Sequence, residues 1–287
     1  MMRIWKWSVL GLCLAMLGCV LLPGEMPARA EGEVKALFIN VGKADAALLF
    51  LGEQRILVDT GHKDSYDALE SALAAYGVDH LDGVFITHTD KDHVGGLKKL
   101  LKSDIVVDQV YASTLHSEGD AEDHPVYEAT QKRNVPLRWL RAGEVIEAGE
   151  CTLHILGPLD RDNIDEDNNS LVIDVRTPEG NLLLTGDMKK EEEGSLLQAD
   201  VIPEATVLKV AHHGEDDSTS ALFLHRVKPQ WAIISTDTKE EPDTAADAVL
   251  ARLWEVKSGV AVTQNATLGI LVTLQGGQAT AEQIDYQ

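Results

Sequence analysis

Cysteine, aromatic side chains and positive charge are all scarce in this 287-residue chain. Only three cysteines occur, Cys13, Cys19 and Cys151, and the first two lie in the opening segment. A disulfide framework is therefore excluded, and the fold must rest on its core or on bound metal. Aromatic residues make up 5%, too few for a broad stacking surface for single-stranded bases. Twenty-five basic residues face 47 acidic ones, a formal charge of −22, which excludes a basic protein that coats nucleic acid. An anionic substrate stays possible, because a bound cation reverses the local sign. Low-complexity tracts, internal repeats and Pro/Ser-rich linkers are missing after residue 32. The only extended apolar run is Trp7 to Leu22, shorter than the roughly 20 residues that span a bilayer comfortably. With 44% hydrophobic and 25% charged residues the chain is too apolar for disorder and long enough for a full core.

That run sits between Arg3 and Lys6 on one side and Pro23-Gly24 and Ala28-Arg29-Ala30 on the other. A basic start, an apolar centre and a small-x-small end predict a secretory signal over 1–30, cleaved near Ala30. Secretion or release to the periplasm follows, with no stable membrane span afterwards. The alternatives are an uncleaved anchor and a lipoprotein acylated at Cys19 in Met16-Leu17-Gly18-Cys19. Cleavage would remove three bases (Arg3, Lys6, Arg29) and one acid (Glu25), leaving 22 basic and 46 acidic residues, a charge of −24. Cys151 then remains alone, in the alternating run CTLHIL, as a buried strand residue.

Residues 33–285 read as one domain. Strand-like runs at 34–40, 46–51 and 55–59 precede a helix from Ser65 to Tyr76 with Gly77 as its stop. GVFIT (83–87) is continuously apolar, as in a strand buried on both faces. DIVVDQVYA is read as one strand, followed by a helix over 125–133 and strands near 137–140, 144–147 and 151–156. The second half opens on a hairpin, 170–177 with 181–187. Then TVLKVAH, WAIIS, a helix over 243–254 and a terminal strand pair within 260–274 alternate with helices. Hairpins followed by βα alternation, twice, predict an α/β protein of two mixed sheets packed face to face with helices outside.

The chemistry concentrates at strand ends. Directly after GVFIT stand His88, Asp90, Asp92 and His93, four potential metal ligands in six residues, followed by Gly95-Gly96. Carboxylates mixed with imidazoles suit Zn²⁺, Mn²⁺ or Fe, and are too oxygen-rich for a structural zinc site. Asp187 closes the strand NLLL, and His212-His213 closes VLKVA. Three such ends converging would supply the ligands of a two-metal hydrolase.

This set resembles the metallo-β-lactamase superfamily, whose signature is His-x-His-x-Asp-His with a bridging Asp and a late His. The resemblance implies an αβ/βα four-layer sandwich with the metal site at the edge of its two sheets. Within the superfamily the chain is similar to the soluble hydrolase domain of the ComEC/Rec2 competence family, through NVGKADAALL, ILVDTG, THTDKDHVGG, NNSLVI, LLLTGD, VLKVAHHG and KPQWAIIS. A looser similarity is to secreted phosphorylcholine esterases. The likeness implies two divalent ions, Zn or Mn, on His88, Asp90, Asp92, His93, a bridging Asp187 and one of His212 and His213. The catalytic group would be Asp92, Asp187 and His212. Asp90 replaces the superfamily's second His, and its separate third-motif His has no match. Asn168, Asn169 or Ser170 stands near that place, so the first ion should be weakly held. His154 could replace it, but its alternating run argues for a structural place. The branch's Gly-His-Pro is here Glu240-Glu241-Pro242.

Asp59 either orients a ligand imidazole or forms a turn before Gly61, which supplies a positive φ or a close backbone approach. His62 is a pocket or exposed loop residue. Asp45 is expected to fix its loop by backbone hydrogen bonds. His116 and His124 belong to an acidic loop that is a flap or solvated surface. The function implied is an exported hydrolase cleaving a phosphodiester by a metal-activated hydroxide, a nucleic acid or a surface phosphodiester. The acidity disfavours tight duplex DNA and favours a small or flexible substrate. Acyl or lactam hydrolysis and a degenerate binding module are the alternatives, and nothing in the sequence fixes an oligomeric state.

Overall fold

The computed structural model describes residues 34–116 and 124–286. The segment read as a secretory signal, with Cys13, Cys19 and Ala30, lies outside the described residues, as does 117–123. Strands in chain order are β1 Val34–Ile39, β2 Ala47–Leu51, β3 Gln54–Val58, β4 His80–Leu81, β5 Gly83–Ile86, β6 Val106–Val107, β7 Val110–Ser113, β8 Leu137–Leu140 and β9 Val145–Ala148. They continue as β10 Cys151–Gly157, β11 Val172–Thr177, β12 Gly180–Leu184, β13 Val207–Lys209, β14 Trp231–Ile234, β15 Gly259–Val262, β16 Gly269–Gln275 and β17 Gln278–Ile284. The helices are α1 Tyr66–Ala75, α2 Lys91–Val94, α3 Leu97–Leu100, α4 Pro125–Arg133, α5 Lys190–Gln198, α6 Ala221–Val227 and α7 Asp247–Glu255.

Eight strands form one sheet in the order β17-β16-β1-β2-β3-β5-β7-β8, and seven form another, β15-β14-β13-β12-β11-β10-β9. Each sheet is antiparallel through its hairpins and parallel through its βα portion: β3, β5, β7 and β8 in one, β12 to β15 in the other. The alternating pleat gives each central strand two apolar faces. In β1, Ala36 and Phe38 face the inter-sheet core with Leu49, Phe85, Leu153, Ile173 and Ile233. Leu37 and Ile39 point the other way, into the layer with Leu69 and Leu73 of α1, Leu97 and Leu100 of α3, and Val126 of α4. A matching outer core packs Leu196 of α5, Phe223 and Leu224 of α6, and Val249 and Leu253 of α7 on the second sheet. The result is the αβ/βα four-layer sandwich. Truncating a core aromatic such as Phe85 to Ala would cost about 3–5 kcal/mol.

Three readings are corrected. DIVVDQVYA is two strands: β6 pairs with β4 in a separate ribbon and only β7 joins the large sheet. Asp108, in the turn between them, gives its backbone N–H to Leu81 O and its carboxylate to His80, which breaks the run. The terminal strands do not pair with each other, since β15 ends the second sheet while β16 pairs with β1 in the first. A further strand, β17, completes the first sheet. Its small and polar residues (QATAEQI) cover a half-exposed sheet edge and carry no apolar signal. His116 and His124 are buried and edge-to-face, with the His124 ring against Trp139. Among the described residues no helix is long and apolar enough to cross a membrane.

Candidate metal centre

Most of the chemically active segments leave the C-terminal end of a parallel-paired strand, whereas Asp167 lies in the loop between the antiparallel β10 and β11. Asp59 follows β3, Thr87 and His88 follow β5, Asp187 follows β12, His212 and His213 follow β13, and Ser235 follows β14. The two sheets bring these ends to one edge, and the Leu171 N–H on Thr87 O (2.9 Å) ties them across. The glycines of THTDKDHVGG permit the close approach: a Cβ on Gly96 would stand 2.3 Å from Thr60 O. Gly61 has φ +66, and its N–H donates to Asp45 O.

Two of the clusters of candidate ligand atoms among the described residues share Asp187. Asp92, His93, Asp187 and His213 place one ligand atom each within 4.8 Å of one another, and His88, Asp167 and Asp187 do the same. We call these the deep and outer sites. In the deep site, His93 Nε2 and His213 Nε2 each lie 3.1 Å from Asp187 Oδ2, and His213 Nε2 is 3.3 Å from Asp92 Oδ2. Each imidazole is turned by its other nitrogen. His93 Nδ1 donates to Asp59 (2.9 Å), whose carboxylate also accepts from Thr87 N and Oγ1. His213 Nδ1 donates to Ser235 O at 2.8 Å. Nδ1–H is thereby fixed and Nε2 presents its lone pair to the centre. Asp59 thus orients the His93 imidazole, from a backbone held at φ +60.

His212 and His213 are consecutive residues at φ 47 and 52, a left-handed conformation that β-branched or bulky residues avoid. The turn throws the two rings to opposite sides. His213 enters the deep cluster. His212 donates from Nδ1 to Asp217 (2.8 Å) and directs Nε2 toward Asp167 Oδ2 and Glu215 Oε1, each at 3.7 Å. In the outer site His88 Nε2 is 3.5 Å from Asp167 Oδ1. Ser170 Oγ accepts the Asp187 N–H and stands 3.3 Å from His88 Nδ1. Asn169 faces away from the centre: its amide accepts from Asp162 N and donates to Asp162 O, bracing the loop that presents Asp167.

Asp90 is exposed and falls in neither cluster. Its backbone is extended at the N-cap of α2 (ψ 149), and its side chain makes no capping hydrogen bond. Partial burial, with Asp167 and Asp92 nearby, raises its pKa despite the opposing pull of His88. His154 hydrogen-bonds Thr152 Oγ1 within β10, inside the second sheet and outside both clusters.

The sequence reading passed over three residues. Asp167 sits immediately before Asn168, where a third-motif His was sought. Lys209, a single charge within the apolar run VLKVA, is buried and ion-pairs with Asp45, with Asp187 Oδ1 at 3.7 Å. The Asp45 carboxylate therefore does more than fix its loop; it holds an ammonium behind the deep site. Burial opposes the Lys209 charge, but Asp45 and Asp187 outweigh it and raise the pKa. Lys189, at the start of α5, reaches Asp167 Oδ2 (2.6 Å) and Asp165 Oδ2 (2.9 Å).

A cation fits this arrangement. His88 Nε2, His93 Nε2, His213 Nε2 and Asp187 Oδ1 are buried and have no hydrogen-bond partner among the described residues. An orphaned buried polar atom costs about 1–3 kcal/mol, and four converging ones are resolved by an ion rather than by packing. Without it, protons take that role. Desolvation opposes charge on His213, yet Asp187 and Asp92 hold its pKa up at about 9, and His93 is raised likewise by Asp187 and Asp59. Desolvation would raise Asp187, but His213 and His93 pull it well below the usual carboxylate range. Imidazole with carboxylate suits a divalent ion. A groove of about 450 Å³ leads to Asp92 between Val41, Lys43, His62, Asp64 and Glu241, and Glu240 accepts the Lys43 N–H at 2.8 Å.

The family description that matches, over residues 39–237, is the metallo-beta-lactamase superfamily, and the chain belongs to it. It is 32% identical over 224 residues to ComE operon protein 3 of Bacillus subtilis, covering 72% of this chain and 28% of that protein. It is 28% identical to competence protein ComA of Neisseria gonorrhoeae, covering 79% and 31%. The chain thus spans less than a third of the length of these relatives. Among solved structures, the metallo-beta-lactamase fold protein YhfI of Bacillus subtilis superposes with a TM-score of 0.56 at 14% identity, covering 85% of this chain and all of that one. A diphosphatase of the PhnP family gives 0.52 at 11%, covering 84% and 97%. At such identities the likeness is one of fold.

Proposed function

We propose that this chain is an exported metal-dependent hydrolase that cleaves a small or flexible phosphodiester. The observation that carries the reading is Asp187, a buried carboxylate common to two ligand clusters whose imidazole Nε2 atoms lack partners. Deep-site ligands would be Asp92, His93, Asp187 and His213; those of the outer site would be His88, Asp167 and Asp187. Zn²⁺ and Mn²⁺ both suit this donor set. Divalent ions held there would acidify an attacking water and offset charge on the phosphoryl oxygens.

The remaining steps fall to the chain's own groups. Asp59 and Ser235 keep the His93 and His213 rings aimed, so the ligand atoms need no rearrangement when substrate arrives. His212 is the proton donor to the leaving oxygen. Partial burial opposes its charge, but Asp217 and Asp187 raise its pKa, and Nε2 lies 3.7 Å from Asp167 Oδ2 of the outer cluster. Lys43 lines the groove beside Asp92 and offers the ammonium nearest the deep site's open side. The formal charge of −22 and a groove also walled by Asp64, Glu240 and Glu241 argue against a long duplex as ligand.

The test compares bis-p-nitrophenyl phosphate with nitrocefin on the purified protein, with Mn²⁺ or Zn²⁺ supplied. Metal-dependent turnover of the phosphodiester, abolished in Asp187→Ala, supports the proposal. Turnover of the lactam alone would replace it with acyl hydrolysis. Less than one ion per chain at saturation would favour a binding module.

A further inference from the structure

We infer that Lys189 is a built-in competitor for the outer metal site, making that site a weak and exchangeable one beside a permanently occupied deep site. The inference rests on the two-site reading above and adds the residue that sets the difference between them.

Three observations carry it. Asp167 replaces the missing imidazole by position: His88 Nε2, buried and without a hydrogen-bond partner, is 3.5 Å from Asp167 Oδ1, and Asp187 completes the cluster. The other oxygen of Asp167 is already engaged, at 2.6 Å, by the Lys189 ammonium. That ammonium is also held by Asp165 at 2.9 Å, with Asp217 at 3.7 Å, and the Lys189 backbone N–H rests on Asn168 Oδ1. Its position is therefore built and not a chance surface pairing. The deep site differs. Its neighbouring ammoniums are committed elsewhere, Lys209 to Asp45 while standing 3.7 Å from Asp187 Oδ1 and Lys43 to Glu215 at 3.3 Å, and among the described residues Asp92 makes no ion pair with a lysine.

A divalent ion and an ammonium a few ångströms apart repel each other, and the low interfacial dielectric leaves that repulsion largely unscreened. Filling the outer site thus requires Lys189 to leave Asp167 for Asp165, Asp217 or solvent. Because Lys189 is only one-fifth exposed, the penalty is screened incompletely.

Titration of the chelator-stripped full chain with Mn²⁺ by calorimetry tests this. Wild type should show a tight step and a weaker one. Lys189→Met and Lys189→Gln should each tighten the weaker step on the order of ten-fold or more, or reveal it where wild type shows one step only. Asp167→Asn should remove that step alone. Lys190→Met changes the net charge equally, but Lys190 contacts Asp216 O and not Asp167, so it should leave both steps unmoved. A weaker step unchanged in both folded Lys189 variants, or an equal shift in Lys190→Met, overturns the inference. Absence of the tight step in wild type would instead sink the two-site reading itself.

Discussion

The deep and outer clusters share one carboxylate and differ in almost everything else. The deep ligands are locked from behind: His93 by Asp59, His213 by Ser235 O, and Asp187 by its N–H on Ser170. The outer ligands are held by softer partners. Thr87 and Ser170 hydroxyls flank His88 Nδ1, and a lysine that also salt-bridges elsewhere holds Asp167. Rigidly aimed imidazoles release only a proton to receive an ion, whereas at the outer site a lysine must also leave its carboxylate. One centre can therefore combine a permanent metal with an exchangeable one.

The sharpest break removes what the two share. Asp187→Ala should empty both sites and lower metal-dependent kcat/KM by roughly 10³-fold or more. Activity within ten-fold of wild type would mean that the clusters do not act as one centre. Replacing His212 separates proton donation from metal binding. His212→Gln should lower kcat by roughly 10²-fold while metal content, read by elemental analysis, stays that of wild type. Loss of metal in that variant would make His212 a ligand instead. Asp59→Asn acts one step further out. It keeps the shape but weakens the acceptor for His93 Nδ1, so deep-site affinity should fall about 10–100-fold with the outer step unchanged. An equal loss at both sites would show that Asp59 supports the whole edge and not one ring.

Much of this is legible in the sequence alone. The continuous apolar runs GVFIT, LLLT and VLKVA report strands buried on both faces, and ligand residues at their C-terminal ends report a site at the sheet edge. His88, Asp92, His93, Asp187 and His213 are all at such ends. What stayed hidden depends on direction and pairing. The sequence could not separate His212 from His213, because a left-handed turn at both residues sends their rings apart. Asp90 lies within the motif and Asp167 far from it in sequence, and only the braced 160s loop shows that Asp167 joins a cluster with His88 and Asp187 while Asp90 falls in none among the described residues. Lys209 reads as a blemish in an apolar strand until Asp45, 164 residues earlier, is seen against it. The strand β17 escaped for a plainer reason, having no run of apolar residues.

The smallest effect tests the electrostatic side of the comparison away from the metal centre. Glu192 on α5 is buried like Asp187, but its carboxylate meets the Leu159 N–H and no cation, so burial with Asp160 nearby raises its pKa to about 7. Asp187, with two imidazoles opposite, moves the other way. A carboxyl raised in the folded state binds more protons there than in the unfolded chain. Its contribution is fully present below the ordinary value near 4.5 and is lost as pH rises through about 7. Glu192→Gln keeps an oxygen for the Leu159 N–H and removes the charge. It should therefore leave stability nearly unchanged at pH 4 and raise it at pH 8 by about 1 kcal/mol, after allowance for partial solvent screening. Urea unfolding at the two pH values checks this. Equal midpoints at pH 8 would show that the Glu192 charge is already compensated, and that burial alone does not distinguish the two carboxylates.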